Sequence, residues 1–430
     1  MKHLTEGNNT SQLIQKFILN DIFLEGEYKV IRVFIDGLLS SSKLPNAVLQ
    51  QYGNRIHEVG EYGVKILHQA AREDNANIVG FLLHSVQAGQ QTDTLNELLL
   101  KQDDEGRTAW HKAVLMGNIQ VLMRLWEWAK KVLKTQELKS ELLLPTVKLE
   151  DLFPLKQKYS RKHTALQRAA DQDKTEVFLK LWEWSKEELT TEEVKNEVLL
   201  AKDYRKQTIW HMAAKNDKPV LLEKLWDWAK EKLTPEELNN KLLLAKDDVA
   251  QTAFHVAAEG GIIQVLQKIW ECSKEKLTAE EIKINLLLAN VCEDKTVFHV
   301  AARGGETTWY NAAEKDHTKV LEILWKWAKE ELTSEELINM WLLGKDNRKR
   351  TAWHLAAQKG NIDSLRRLWN WAKQVLTAEE LKSKWMLGKD DRKRTAFDMA
   401  AEEGNTEVLE ILQEWALQEF RSEELSNVLC

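Results

Sequence analysis

One seven-residue phrase governs what this chain can fold into. Thr351-Ala352-Trp353-His354-Leu355-Ala356-Ala357 recurs as Thr108-Ala109-Trp110-His111, Thr208-Ile209-Trp210-His211, Thr252-Ala253-Phe254-His255 and Thr296-Val297-Phe298-His299. Weaker copies start at Lys65, Thr164, Thr307 and Thr395, and successive starts lie 43, 56, 44, 44, 44, 11, 44 and 44 residues apart. A fixed period near 44 points to one supersecondary unit repeated along the chain, each copy burying its apolar face against its neighbours. The 430 residues then need not be two or three unrelated domains. The interval of 56 holds a 12-residue insertion around Pro145 to Lys158. The interval of 11 is a partial copy, 296–306, in which one phrase leads straight into the next. Gly304-Gly305 inside it predicts a kink or bulged loop that divides the array into two blocks; a gene-model or splicing artefact is the competing reading.

Each unit reads as three helices. In the copy starting at Thr252, Ala253 to Glu259 form a short apolar helix that ends at Gly260-Gly261, where glycine follows a helix C-terminus. A second helix carries Val265, Leu266, Ile269 and Trp270 on one face. Other copies add a second Trp two residues after the first, as in Trp126/Trp128, Trp182/Trp184, Trp226/Trp228, Trp325/Trp327 and Trp369/Trp371. Two residues turn an α-helix by roughly 200°, so each pair marks the two edges of a broad apolar stripe that needs neighbours on more than one side. Thr234-Pro235-Glu236-Glu237, with equivalents at Thr278, Thr333 and Thr377, then starts a third helix through a capping box, and Leu242-Leu243-Leu244 continue it.

Composition narrows the classes. Eighteen Trp and 43% hydrophobic residues speak against disorder. Three cysteines, Cys272, Cys292 and Cys430, show no CxxC spacing and are too few for a disulfide scaffold in a chain of this length. The start, Met1-Lys2-His3-Leu4, lacks the apolar region of a signal peptide, and no window approaches the ~20 apolar residues of a membrane span. The expectation is a cytoplasmic protein, with a nuclear location not excluded. A net charge of −6 gives no general affinity for polyanions. No phosphate-binding glycine loop, HExxH or GxSxG is present. The chain is therefore expected to have no catalytic, cofactor or metal site, and no small-molecule substrate.

The repeated phrase resembles the first-helix signature of the ankyrin repeat, Thr-Pro-Leu-His-x-Ala-Ala. Asp103, Gly106, Thr108, Trp110, His111, Ala113, Gly117, Asn118, Val121, Leu122, Leu125 and Trp126 fall at the matching spacings, and the resemblance covers residues 61–430. It implies an all-α chain: an α-solenoid of about eight full units. Two departures stand out: Pro is replaced in every copy, and the unit is 44 residues against the ~33 of the family. HEAT and armadillo arrays have a similar period but lack the Thr-x-x-His-x-Ala-Ala phrase. Residues 1–60 do not match and read as a helical N-terminal cap or a small separate interaction module.

The resemblance also assigns roles. His111, His211, His255, His299 and His354 hold one repeat position, and the family's histidine there bonds backbone between neighbouring repeats. Trp126, Trp182, Trp226, Trp270, Trp325 and Trp369 occupy the family's core leucine site, which favours packing over a stacking platform for bases. The connection before each Thr would project as a finger beside a concave groove. Arg161, Lys162, Arg205, Lys206, Arg348, Lys349, Arg350, Arg392, Lys393 and Arg394 make several of these fingers basic; Asp248 and Glu293-Asp294 make others acidic. The expected partner is a protein carrying an acidic segment. Nucleic acid is disfavoured by the overall acidity, and a structural tether without a selective groove is the alternative.

Overall fold

The computed structural model describes residues 60–88, 92–103, 106–144, 164–172, 174–203, 205–215, 219–291, 295–297, 299, 301 and 317–420. The cap expected over 1–60 therefore lies, but for Gly60, outside the described residues, as do Arg161, Lys162 and the inserted stretch after Leu144. The chain divides into two compact units, Met1–Val198 and Leu199–Cys430. Among the described residues both are all-helical, with no strand and a single isolated bridge between Val291 and Lys295.

Within each unit, first helices pack on first helices and second on second. In Met1–Val198, Gly60–Arg72 lies against Ala109–Met116 and Ala76–Ala88 against Ile119–Val132. In Leu199–Cys430, Ala352–Gln358 lies against Ala396–Glu402 and His317–Glu331 against Ile362–Val375. The sequence explains the boundaries. Thr351 caps the first helix, and Gly360, with φ +70°, turns the chain into the second. An added Cβ on Gly360 would also stand 2.9 Å from Asn405 Oδ1. The broad stripe is buried on both edges: Trp226 and Trp228, and Trp369 and Trp371, are all in the core.

The third element departs from expectation. Only its first turn is α-helical: Pro235–Glu237, capped by Thr234, then gives way to π-winding over Leu238–Leu243. The same switch occurs at Val194–Leu199, Lys283–Leu287, Leu337–Leu342 and Leu381–Met386. The Leu244 N–H bonds the Asn239 carbonyl, five residues back, and Leu387 bonds Lys382 likewise. Widening the turn to five residues brings positions four and five onward to the same face. Leu238, Leu242 and Leu243 can then all turn inward, which α-winding would prevent.

Ring stacking carries the register from copy to copy. Trp325 stacks on Trp371 at 4.8 Å and 9°, and Trp369 on Trp415 at 5.1 Å and 7°. Each pair is 46 residues apart in sequence. Trp270 stacks on Trp327 at 4.4 Å and 7° although 57 residues separate them, the difference being the 11 residues of the partial copy. His299 likewise bonds the Gly344 carbonyl 45 residues on, where His354 reaches Gly388 after 34. Thr296 and His299 thus supply the first-helix contacts of the unit that continues at His317. The expected division at 296–313 is corrected: Leu199–Cys430 is one compact unit across it, because the core rings keep their register. Residues 302–316 themselves lie outside the described residues. In Met1–Val198, Trp126 and Trp184 stack at 4.6 Å and 15° over 58 residues, spanning the 12-residue insertion in the same way.

Candidate functional site

Five of the fingers are built on an aspartate five residues before the phrase threonine, at Asp103, Asp203, Asp247, Asp346 and Asp390; Val291 takes that place before Thr296. Asp346 is buried. Its N–H bonds the Arg350 carbonyl at 2.9 Å, and its Oδ1 accepts from the N–H groups of Arg348 and Arg350 at 3.0 and 2.8 Å. Asp390 does the same with Arg392 and Arg394, and Asp203 with Arg205 and Gln207. An Asp side chain that bonds the backbone two residues on fixes a tight turn. The fourth residue of each turn must then be left-handed: Lys206, Ala250, Lys349 and Lys393 have φ of 58°, 63°, 57° and 64°. Gly106, at φ 69°, fills the same place after Asp103. Non-glycine residues in this region cost of order 1 kcal/mol or more, so three lysines sit where glycine would be easier.

Neighbouring fingers are joined through the backbone. The Asp391 N–H donates to the Arg348 carbonyl at 2.9 Å, and the Asp248 N–H to the Arg205 carbonyl at 2.8 Å. The Gln207 amide also donates to Asp247 Oδ2 at 3.2 Å. Arg348, Lys349, Arg392 and Lys393 are all exposed on one such linked pair, while Arg205 and Lys206 are exposed on another.

Two of the expected finger cations turn inward. Arg350 is only 6% exposed and holds Asp346 Oδ2 through Nε at 2.9 Å and a terminal nitrogen at 2.8 Å. Arg394 grips Asp390 Oδ2 in the same way and also reaches Glu402. Burial pushes the Asp390 carboxyl up, but the Arg394 backbone N–H and guanidinium outweigh it and hold the carboxyl below the usual range. Arg350 and Arg394 are finger struts, and the exposed cations are the two residues before each of them. Apart from Asp103, noted as a repeat position, the anchoring aspartates escaped the sequence reading, although Asp203, Asp247, Asp346 and Asp390 likewise stand five residues before a phrase threonine.

The histidines make a repeated bond between copies. The N–H and Oγ1 of Thr351 both bond His354 Nδ1, at 3.2 and 2.8 Å, so Nδ1 carries no proton. Nε2–H then donates to the Gly388 carbonyl at 3.0 Å. His299 and His211 repeat the arrangement, to Gly344 and Gln251. His111 and His255 keep the threonine bond; the His111 Nε2 has no hydrogen-bond partner, and His255 faces the backbone of Ala289. Burial drives His255 down to about 3 and His111, His299 and His354 down to about 4, so all are neutral at pH 7. Trp126, Trp182, Trp226, Trp270, Trp325 and Trp369 are each buried. Cys272 is buried as well, and burial pushes its thiol up to about 12.

No helix among the described residues is long and apolar enough to cross a membrane. A scan against protein-family models and a search of curated proteins return no match.

Proposed function

We propose that the chain is a non-catalytic, ankyrin-like α-solenoid that binds an acidic segment of a partner protein through its basic fingers. The observation that carries this reading is the linked finger pair, with Arg348, Lys349, Arg392 and Lys393 exposed and their turns anchored by buried aspartates. Complementary charge of this kind steers association and selects partners more than it adds raw affinity. Support for the ankyrin likeness comes from the threonine-capped first helix, the histidine that bonds Thr and a distant backbone carbonyl, and the tight finger before each threonine. The π-wound third element is the departure that lengthens the unit.

The test is charge reversal of Arg348, Lys349, Arg392 and Lys393 to glutamate in the full chain. These exposed side chains leave the aspartate anchors in place, so thermal melting should stay close to wild type. Affinity capture is expected to lose a salt-sensitive partner. An unchanged set of captured proteins would support the structural tether instead.

A further inference from the structure

The paired glutamates that start each third element go beyond what capping needs. In the box at Thr333 only Glu336 accepts from the threonine N–H, at 3.0 Å, and it also holds Lys283 at 2.6 Å. Glu380 does the same at Thr377 and pairs with Lys384. The glutamate one residue earlier is spare. Glu236, Glu335 and Glu379 are exposed, and among the described residues none of them enters an ion pair. Glu280 meets only Lys283, at 3.7 Å. The positive end of the helix dipole favours an acid at this place but binds neither oxygen. Nearby lysines at the ends of the second helices are already paired: Lys276 with Glu275, Lys274 with Glu331 and Lys373 with Glu419.

The other end of the third element leads into the fingers, and there the free charge is positive. Lys345, Lys349, Lys389, Arg392 and Lys393 are exposed on the linked pair, and among the described residues none is ion-paired. Arg348 has a partner of its own and is left out of that set. Of the carboxylates in the two turns, Asp346 and Asp390 are held by Arg350 and Arg394, and Asp391 is exposed. Glu402 shares Arg394 with Asp390. The preceding finger, with Glu293 and Asp294, lies outside the described residues, so the surface considered is confined to the two fingers after it.

Glu379 lies in the first turn, Ala378–Glu380; the π-wound Leu381–Met386 follows, and Lys389 stands three residues beyond. A rise of about 1.5 Å per residue holds such charges on the order of 12 Å apart, beyond the ~10 Å screening length of 0.1 M salt. The two sets therefore do not neutralise each other within one chain. Their spacing is nevertheless the same, because both ride on the same units: Lys349 and Lys393 are 44 residues apart, as are Glu335 and Glu379. Packed helices set neighbouring units roughly 8–10 Å apart. Two neighbouring fingers thus match a surface that presents one free carboxylate per unit at that interval.

We infer that the acidic partner of the finger pair is the glutamate row of a second copy of this chain, the fingers of one against the third-element starts of the next. This rests on the fingers binding an acidic protein surface, and names that surface. The two faces differ, so the contact is heterologous and leaves a free face on each copy, where a third can add. Exposed ion pairs make such contacts weak and salt-sensitive.

Sedimentation velocity of the full chain over a range of concentrations tests this. At about 20 mM salt the chain is expected to associate reversibly past the dimer, and at about 500 mM the association should weaken at least tenfold. Lys349→Glu with Lys393→Glu, and Glu335→Lys with Glu379→Lys, should each weaken it at least tenfold with little change in melting. An equimolar mixture of the two variants should associate again, since each then meets opposite charge on the other. Should the glutamate variant fail to fold by circular dichroism, Glu335→Gln with Glu379→Gln is expected to weaken association at least threefold. The inference is overturned if the wild type stays monomeric at low salt, if the glutamate variant associates as well as wild type, or if the mixture does not associate. A monomeric wild type whose finger reversal still loses a captured protein would assign the fingers to a different acidic partner, leaving the finger reading intact. Finger reversal that changes neither the association nor the captured proteins would remove both.

Discussion

Truncating Trp270 tests both the burial of the tryptophan stripe and the register across the partial copy. The ring is 6% exposed, stacks on Trp327 at 4.4 Å and approaches Phe254 at 5.9 Å. A buried aromatic removes about 150–250 Å² from water, worth roughly 4–6 kcal/mol at about 25 cal/mol per Å². Measured truncations of buried Phe and Trp to Ala centre on ~3–5 kcal/mol, and that range is expected for Trp270→Ala. Repeat arrays open locally, so amide hydrogen exchange suits the question better than one global melt. Exchange in Ala253–Glu259 and Ile263–Lys276 should accelerate on the order of a hundredfold to a few thousandfold, at about 1.4 kcal/mol per tenfold. A double-mutant cycle over Trp270 and Trp327 should give a coupling of ~0.5–1.5 kcal/mol. Trp369 and Trp415 should give the same value within ~0.5 kcal/mol, since their ring geometry matches. A loss below ~1 kcal/mol for Trp270→Ala would refute the burial. Zero coupling across the partial copy, beside normal coupling at Trp369 and Trp415, would refute the conserved register.

Three further outcomes are expected. The buried histidines have folded pKa values depressed below the ordinary 6.5, so the unfolded chain binds more protons; stability is full above that value and falls as pH drops from about 6.5 towards about 4. His354→Gln keeps the capping geometry that Gln167 shows at Thr164 and should flatten the acid limb by up to ~1.4 kcal/mol per pH unit, read from urea midpoints at several pH values. At the left-handed finger position, Lys349→Gly should melt at or above wild type and Lys349→Val several degrees below it; equal melting of the two would deny the strained turn. Gly344→Ala should cost about 2 kcal/mol or more, because its Cβ would stand 2.1 Å from the Met340 carbonyl oxygen, and an undiminished melting temperature would contradict that contact.

Much of the helical layout was legible from local rules. The capping boxes at Thr234, Thr278, Thr333 and Thr377 lie where the Thr-x-x-Glu spacing put them, because four residues contain the whole device. The wide tryptophan stripe likewise needed only the helical repeat. What was missed depends on partners distant in sequence or on backbone choice. Nothing local marks Leu238–Leu243 as π-wound: an α-helix would bury Leu238 and Leu242 and leave Leu243 to the side, and only the neighbours that bury all three select the wider winding. Arg350 and Lys349 read alike as finger cations, yet Asp346 draws Arg350 inward while the left-handed turn leaves Lys349 exposed. The division into two blocks expected at 296–313 overlooked ring contacts 57 residues apart, which a linear reading does not register; the kink or bulged loop itself lies outside the described residues.

The backbone bond from Asp391 to Arg348 has a consequence for any multivalent contact. Two loops that moved independently would each lose conformational freedom on engaging a ligand, and that ordering cost subtracts directly from affinity. Here each turn is already held by a buried carboxylate, and the two turns are held to each other. The folding of the array meets the backbone part of that cost beforehand, leaving only side-chain rotamers to be fixed. A ligand whose negative charges match the spacing of the fingers would therefore gain from the second contact nearly in full. One with the same charge at another spacing would find little compliance. If the fingers bind as proposed, that one hydrogen bond would favour ligands by the distance between their charges as well as by their number, within the reach of the exposed Arg and Lys side chains.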